Sequence, residues 1–314
     1  MNKPNFYIVD SVKGGCGKTS IALWKAMELS CEKINVHDKN LKSKKVCYLD
    51  LDLLGTSTAI LLGDNTNGTS YLNDLFTGDR TAVRKLSVKR DLNIYYEEAE
   101  NKIYHFKNDG TYTEKKIGLI LSNPNQNKKN LFRVGYPTDG HHIDYDFFAR
   151  RINELIKELI DGGFTDFVID MPPNSDPYTD SIFDLLLHQK PPKEENDKIV
   201  SLLLISSFDH SHRTANISWF DDLISKDHSW YPFDYIELYF NDVRNCITKD
   251  ETLGEPSVTP KEISEAFVNS LINSSQYQKE CVKQFVVRYN STLSAESINQ
   301  NGIEQLQLVV KEIN

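Results

Sequence analysis

The sequence has 314 residues, with 36 Lys and Arg against 45 Asp and Glu, so its formal net charge is −9. This length permits one large domain or two ordinary ones, and the acidic balance excludes a global basic field that would attract nucleic acid or anionic lipid. The five cysteines form no C-x-x-C pair, and we expect neither a leader peptide nor a bilayer-spanning segment, and therefore a cytoplasmic protein.

A glycine-rich turn follows the first apolar run, Phe6 to Val9, and precedes a segment with helical spacing, Ile21 to Leu29. The turn has the sequence K-G-G-C-G-K-T from Lys13 to Thr19. Glycines at a strand-to-helix turn let backbone N–H groups close around phosphate oxygens, and the helix directs its positive end at them. We therefore predict a nucleotide phosphate-binding loop. The predicted ligand-binding residues are Gly14, Gly15, Cys16, Gly17, Lys18, Thr19 and Ser20.

Two lysines distinguish this loop. Lys18 is placed to reach the β- and γ-phosphates, and Thr19 offers its hydroxyl to Mg²⁺. The usual pattern G-x-x-x-x-G-K-[ST] requires a glycine where this chain has Val12, and a second lysine, Lys13, stands directly before Gly14. This form resembles the deviant Walker A loop of the ParA/MinD family of P-loop ATPases.

The second predicted strand, Lys45 to Leu49, is followed by Asp50 and Asp52. Carboxylates at such a strand end hold a metal-bound water or orient an attacking one. The segment resembles the D-x-D-x-x-G switch I element of ParA-like ATPases. The resemblance implies that Asp52 lies nearest the attacking water and that Asp50 supports Mg²⁺ coordination or the loop geometry. The family often has Pro-Gln after the second aspartate, where this chain has Leu53-Leu54.

The middle of the chain contains a hairpin signal. Two short runs, Lys102 to Phe106 and Thr111 to Lys115, flank the turn sequence Asn108-Asp109-Gly110. We predict an antiparallel hairpin inserted at about residues 96–118. A structural edge decoration is the favoured interpretation, and a partner-binding device is the alternative.

Two further strand ends carry candidate residues. The apolar run Asp166 to Ile169 is followed by Asp170 and then by Met-Pro-Pro. This segment resembles the Walker B and switch II region of the family. An aspartate in this position holds Mg²⁺ or orders the nucleophile. The late run Tyr235 to Phe240 ends at Asn241. In the related ATPases an asparagine here binds adenine, while a turn-capping role is equally compatible with the sequence.

The alternation of strand-length and helix-length runs predicts a single α/β domain over residues 1–314, with a doubly wound, mostly parallel sheet of the P-loop NTPase type and the added antiparallel hairpin. An apolar stripe predicts a helix over Asp144 to Ile160, stopped by Gly162-Gly163. We also predict a packed terminal helix in Gly302 to Asn314. The pairs His141-His142 and His210-Ser-His212 are interpreted as solvated loop histidines rather than a metal site. The additional predicted strands are Leu92–Tyr96, Ile117–Leu121, Ile199–Ile205 and Gln284–Val287.

The resemblance implies a Mg²⁺-dependent ATPase that forms an ATP-sandwich homodimer, with Lys13 of one subunit reaching the phosphates of the other. Such switches act in DNA or plasmid partitioning or related positioning, with a partner or activator protein. Nonspecific DNA binding is an open option, because Arg80 to Arg90 is a dense basic cluster, and membrane binding is not expected. Two alternatives remain: an ATP-dependent ligase resembling dethiobiotin synthetase that activates a carboxylate, and a weakly hydrolysing, nucleotide-bound adaptor.

Overall fold

The structure is a computed structural model. It describes residues 3–31, 44–53, 58–59, 62, 70–76, 82–86, 91–97, 102–105, 113–123, 145–172, 183, 198–207, 210–225, 233–241, 265–270, 281–289 and 308–312.

Ten strands and four helices are described, with a 3-10 turn at Leu72–Phe76 and a further helical segment at 265–270. The strands are β1 Asn5–Asp10, β2 Val46–Asp50, β3 Asp91–Glu97, β4 Lys102–His105, β5 Thr113–Ile120, β6 Asp166–Asp170, β7 Ile199–Ser207, β8 Tyr235–Asn241, β9 Val282–Tyr289 and β10 Leu308–Glu312. The helices are α1 Lys18–Cys31, α2 Ala82–Leu86, α3 Tyr145–Asp161 and α4 His210–Ser225.

The strands form one sheet in the order β10-β9-β8-β7-β1-β6-β2-β5-β3-β4. The seven strands from β9 to β5 in this order are parallel, and β1 lies between β6 and β7. Every residue of β2 and β6 is buried, as expected for strands covered on both faces. The predicted mostly parallel α/β sheet is therefore confirmed.

The two faces of the sheet have separate apolar cores. On one face of the sheet, Ile21, Leu23 and Ala26 of α1 pack against apolar residues of the central strands. The opposite face packs α3, whose predicted stripe is buried, together with aromatic residues of β1, β6 and α4. The helix α3 ends at Asp161, and Gly163, two residues further on, has a φ of 89° that favours glycine, so the predicted stop is confirmed. Among the described residues, no helix combines the length and hydrophobicity needed to cross a bilayer.

The added antiparallel hairpin is present, but its pairing differs from the prediction. β4 pairs with β3, and β3 also pairs along Thr113–Gly118 of β5, so β3 separates the two segments that were expected to pair. The reason is that β5 is a single long strand whose second half joins β2, which leaves the outer edge of β3 as the place for β4. The turn at 108–110 lies outside the described residues.

The predicted terminal helix is wrong for the described part of Gly302 to Asn314. Leu308–Glu312 is a strand that pairs antiparallel with β9, with Val310 opposite Val287. Its β-branched pair Val309-Val310 suits a strand, and the pairing covers an otherwise open edge of β9. This part of the C-terminal segment is therefore an edge strand of the sheet.

Candidate functional site

The glycine-rich turn joins the end of β1 at Asp10 to the start of α1 at Lys18. Gly15 and Gly17 have φ values of 74° and 96°, in the left-handed region that favours glycine. A Cβ at Gly15 would meet no atom within 4 Å, so backbone conformation rather than lack of room explains glycine there. Lys13, Gly14 and Gly15 are exposed, which leaves the turn open to a ligand at the positive end of α1.

Asp170 lies beside this loop because Val9 of β1 is in register with Asp170 of β6. Its side chain is 1% exposed, and burial raises its pKa to about 6, although the Thr19 hydroxyl and the Lys18 charge act to lower it. Oδ2 accepts a hydrogen bond of 3.0 Å from the Tyr48 hydroxyl. Oδ1 is buried and has no hydrogen-bond partner among the described residues.

These residues fit a magnesium ion. A buried carboxylate oxygen without a partner is costly, and a cation would satisfy it. Within the described ranges, no cluster of three or more His, Cys, Asp or Glu could hold a metal. Mg²⁺ does not require such a cluster, because it usually takes one or two carboxylates together with substrate phosphates and water. Asp170 and the Thr19 hydroxyl match this donor set.

Asp50 is fully buried, and both of its carboxylate oxygens accept hydrogen bonds. Oδ2 accepts from the Ser122 hydroxyl at 2.6 Å, and Oδ1 accepts from the backbone N–H of Asp52 at 3.1 Å. Burial and the nearby charge of Asp170 raise the pKa of Asp50 to about 8. These contacts support the loop-shaping role for Asp50, and its direct metal coordination stays a prediction. Asp52 is half-buried and lies two residues beyond the end of β2.

The helix α4 holds the first half of the phosphate loop, which the sequence analysis did not predict. The backbone N–H of Val12 donates to Asn216 Oδ1 at 3.1 Å, and Asn216 Nδ2 donates to the Ile205 carbonyl at 3.0 Å. Lys13 Nζ donates to Ser211 Oγ at 2.7 Å. The only sequence signal for this role is that Ser211 and Asn216 belong to the segment that follows a strand of the parallel sheet, near the strand ends where ligand-binding residues concentrate.

The prediction that His212 is a solvated loop residue is wrong. His212 lies in the first turn of α4 and is 4% exposed. Its Nδ1 accepts from the backbone N–H of Ser207 at 3.3 Å, and its Nε2 lies 3.1 Å from Ser11 Oγ. Since a backbone N–H is always a donor, Nε2 carries the ring proton and donates to Ser11. His212 thus links β7 to the start of the phosphate loop, whereas His141-His142 lies outside the described residues.

Asn241, the last residue of β8, also contacts the loop. Its side chain is 3% exposed, and Nδ2 donates a short hydrogen bond of 2.6 Å to the Cys16 carbonyl. The structure therefore brings Asn241 together with the phosphate loop across 225 residues of sequence. This contact ties β8 to the loop, while adenine recognition by Asn241 stays a prediction.

Solved structures of other proteins share the mostly parallel α/β architecture of this chain. The structure of pnob8 ParA is 17% identical in sequence, and the match covers 89% of this chain and 74% of that chain with a TM-score of 0.51. A chain of the MinC:MinD cell division protein complex of Aquifex aeolicus is 14% identical, with 96% and 87% covered and a TM-score of 0.52. The ATP complex of a McdA variant from Cyanothece is 13% identical, with 96% and 88% covered and a TM-score of 0.51.

This chain has the ParA/MinD-like P-loop ATPase fold. No protein-family model matches the sequence, and no curated protein matches it. The McdA neighbour was solved as an ATP complex.

The two buried carboxylates of this ParA/MinD-like fold predict a pH dependence of stability. The folded pKa of Asp50 is raised above its ordinary value of 3.8, so the folded state retains a proton that the unfolded state releases. The resulting stability is fully present below the unfolded pKa and is lost as the pH rises through the folded value of about 8. For one such group the expected loss is on the order of 1 kcal/mol per pH unit between these values.

Urea unfolding in EDTA without nucleotide, at about pH 5, 6.5 and 8, measures this dependence. The free energy of unfolding is expected to fall with pH more steeply in the wild type than in Asp50→Asn, which lacks the titrating group. Asp170 still titrates in Asp50→Asn, so that variant is expected to keep a shallower pH dependence. Equal slopes in the two proteins would contradict the assignment to Asp50.

Proposed function

We propose that this protein is a Mg²⁺-dependent ATPase that dimerises with ATP and acts as a switch in DNA or plasmid partitioning or a related positioning process in the cytoplasm. The observation that supports it best is the convergence of Lys18 and Thr19, at the start of α1, on the buried Asp170 carboxylate. A buried aspartate with one oxygen that has no partner among the described residues, next to an open phosphate-type loop, suits a metal–nucleotide complex.

In this proposal each loop residue has a defined task. Backbone N–H groups of Gly14 to Thr19 bind phosphate oxygens, and Lys18 neutralises charge on the β- and γ-phosphates. Thr19 and Asp170 hold Mg²⁺, which when bound offsets the negative charge that develops on the transferring phosphoryl group. Asp52 orients the attacking water, and Asn241 contacts the adenine.

Lys13 is proposed to act across the dimer. Lys13 is exposed on the loop. The contact described for its ammonium group is a hydrogen bond to the hydroxyl of Ser211, which is also exposed. A long exposed cation beside a phosphate site is suited to enter the site of a second subunit. There it would stabilise the spreading negative charge as an arginine finger does in other NTPases.

Partner protein and DNA binding are proposed from the neighbours. MinD of Aquifex aeolicus was solved with MinC, and pNOB8 ParA, with a TM-score of 0.50 to this chain, was solved bound to nonspecific DNA. The net charge of −9 means that any DNA contact would depend on a local basic patch. Most of the predicted cluster Arg80 to Arg90 lies outside the described residues.

The solution mass of Asp52→Ala with Mg²⁺ and either ADP or ATP tests the proposal. Because this change removes the residue proposed to orient water, bound ATP should persist and the dimer should accumulate with ATP only. Asp161→Ala, which removes an exposed carboxylate at the end of α3, is the control and should show no such accumulation. A monomer in both nucleotides, or the same dimer in both, would contradict the switch and favour the ligase or the adaptor.

A further inference from the structure

Tyr48 places a phenol hydroxyl between the metal-site carboxylate and the segment that follows Asp52. It lies in the middle of β2, in register with Val168 of β6. Its hydroxyl donates to Asp170 Oδ2 at 3.0 Å and lies 2.9 Å from Thr58 Oγ1. Tyr48 and Thr58 are fully buried and Asp170 is 1% exposed, so water does not compete for these hydrogen bonds.

The hydrogen bonds have a defined direction. A phenol has one proton, and the ionised Asp170 carboxylate only accepts, so the Tyr48 proton is committed to Asp170. The Thr58 hydroxyl is then the donor in its contact with the phenol oxygen. Burial and the charges of Asp170 and Asp50 raise the pKa of Tyr48 well above its ordinary value, so the phenol keeps its proton. The chain of donors therefore runs from Thr58 through Tyr48 to Asp170.

This chain connects parts of the site that are distant in sequence. Thr58 is 10 residues beyond Tyr48 and follows Asp52, while Asp170 is 122 residues away at the end of β6. Asp50, two residues after Tyr48 on β2, accepts a hydrogen bond from the backbone N–H of Asp52 at 3.1 Å. The Tyr48 hydroxyl therefore contacts both the Asp170 carboxylate and Thr58, which lies six residues beyond the proposed water-orienting Asp52.

We propose that Tyr48 is a positioning residue that fixes Asp170 Oδ2, so that Oδ1 remains available to Mg²⁺, and that couples Asp170 to the Asp52 segment through Thr58. This inference rests on the proposed function, since it concerns the metal–nucleotide complex of the same site. A hydrogen bond to a charged group is among the stronger ones in proteins, and buried networks of this kind fix one geometry.

The variant Tyr48→Phe tests this role because it removes the hydroxyl and keeps the buried ring. The Mg²⁺ concentration that gives half of the tightening of fluorescent ATP binding is expected to rise about tenfold, the equivalent of one lost hydrogen bond to a charged group. ATP affinity in EDTA is expected to stay within about twofold of the wild type, since the phosphate loop itself is intact.

Tyr239→Phe is a matched control. Tyr239 is also buried, lies on a central parallel strand, and donates its hydroxyl to a carboxylate, Glu237, at 2.6 Å. Its variant loses a comparable hydrogen bond and a comparable amount of stability away from Asp170. The Mg²⁺ dependence of Tyr239→Phe is expected to match the wild type. A shift of the same size in both variants would overturn the positioning role, because it would show a general loss of stability.

A second variant keeps the proposal testable if Tyr48→Phe does not fold. Thr58→Val removes the outer donor and preserves the shape, and it should raise the half-effective Mg²⁺ concentration by about threefold, less than Tyr48→Phe. Unchanged Mg²⁺ dependence in both folded variants, with a wild type that responds to Mg²⁺, would overturn this inference alone. A wild type whose ATP affinity is the same with Mg²⁺ and EDTA would overturn the proposed function as well.

Discussion

Replacement of Lys18 by methionine is expected to weaken ATP binding by about hundredfold or more. Lys18 is 7% exposed at the first position of α1, directly after the glycine-rich loop, and its positive charge lowers the pKa of Asp170. A charge-assisted hydrogen bond is worth about 1.5–3 kcal/mol, and the proposed site offers the lysine two phosphates. Fluorescent nucleotide titration and isothermal calorimetry measure the change.

Lys25→Met is the matched control for this prediction. Lys25 lies about two turns further along α1, is 8% exposed, and pairs with Glu28 at 3.0 Å and Glu237 at 3.1 Å. Its loss leaves Glu237 without this buried cation, so the thermal midpoint should fall while the ATP affinity of the folded protein stays unchanged. Equal ATP affinity in Lys18→Met and wild type would exclude this loop as the nucleotide site.

Lys13→Ala is expected to reduce ATP turnover by about 10³-fold or more, the effect of an arginine finger, while ATP affinity of the monomer changes little. The reason is that Lys13 is exposed and is proposed to act on the nucleotide of the other subunit. Steady-state phosphate release gives the turnover, and nucleotide titration gives the affinity. Ser211→Ala is the control, because it removes only the hydroxyl that Lys13 contacts and should leave turnover near the wild-type value.

Mixing two inactive variants distinguishes action across the dimer from action within one subunit. A dimer of Lys13→Ala with Asp52→Ala contains one site with its own Asp52 and the Lys13 of the other chain. An equimolar mixture should recover about a quarter of wild-type turnover, because half of the dimers are mixed and each has one intact site of two. No recovery, with dimers present, would show that Lys13 acts within its own subunit.

The parallel core was predictable because its strands are buried on both faces and are therefore continuous apolar runs, as in Ile199 to Ile205. The glycine-rich turn between β1 and α1 was predictable because its positive φ values favour glycine at Gly15 and Gly17. In both cases the sequence carries a local signal that no distant contact overrides.

The errors arise where long-range pairing decides the structure. The apolar spacing in Gly302 to Asn314 is compatible with a helix, and only the open edge of β9 selects a strand for Leu308–Glu312. His212 has no local feature that distinguishes it from a surface histidine, because its partners Ser11 and Ser207 come from two other strand ends. The role of Tyr48 likewise has no local signal, because its hydroxyl contacts Asp170, which lies 122 residues away in the sequence.

The hydrogen bonds that Asn216 and Asn241 make to the phosphate loop have a consequence for biosynthesis. Both residues are synthesised more than 200 residues after the loop residues that they contact. The central strand β1 likewise cannot pair until β6 and β7 have been synthesised. While the ribosome is still adding these segments, the nascent loop lacks the supports that fix its shape, and such nonlocal topology is slow to complete. The loop therefore acquires these two side-chain supports only late in translation, after most of the chain has been made.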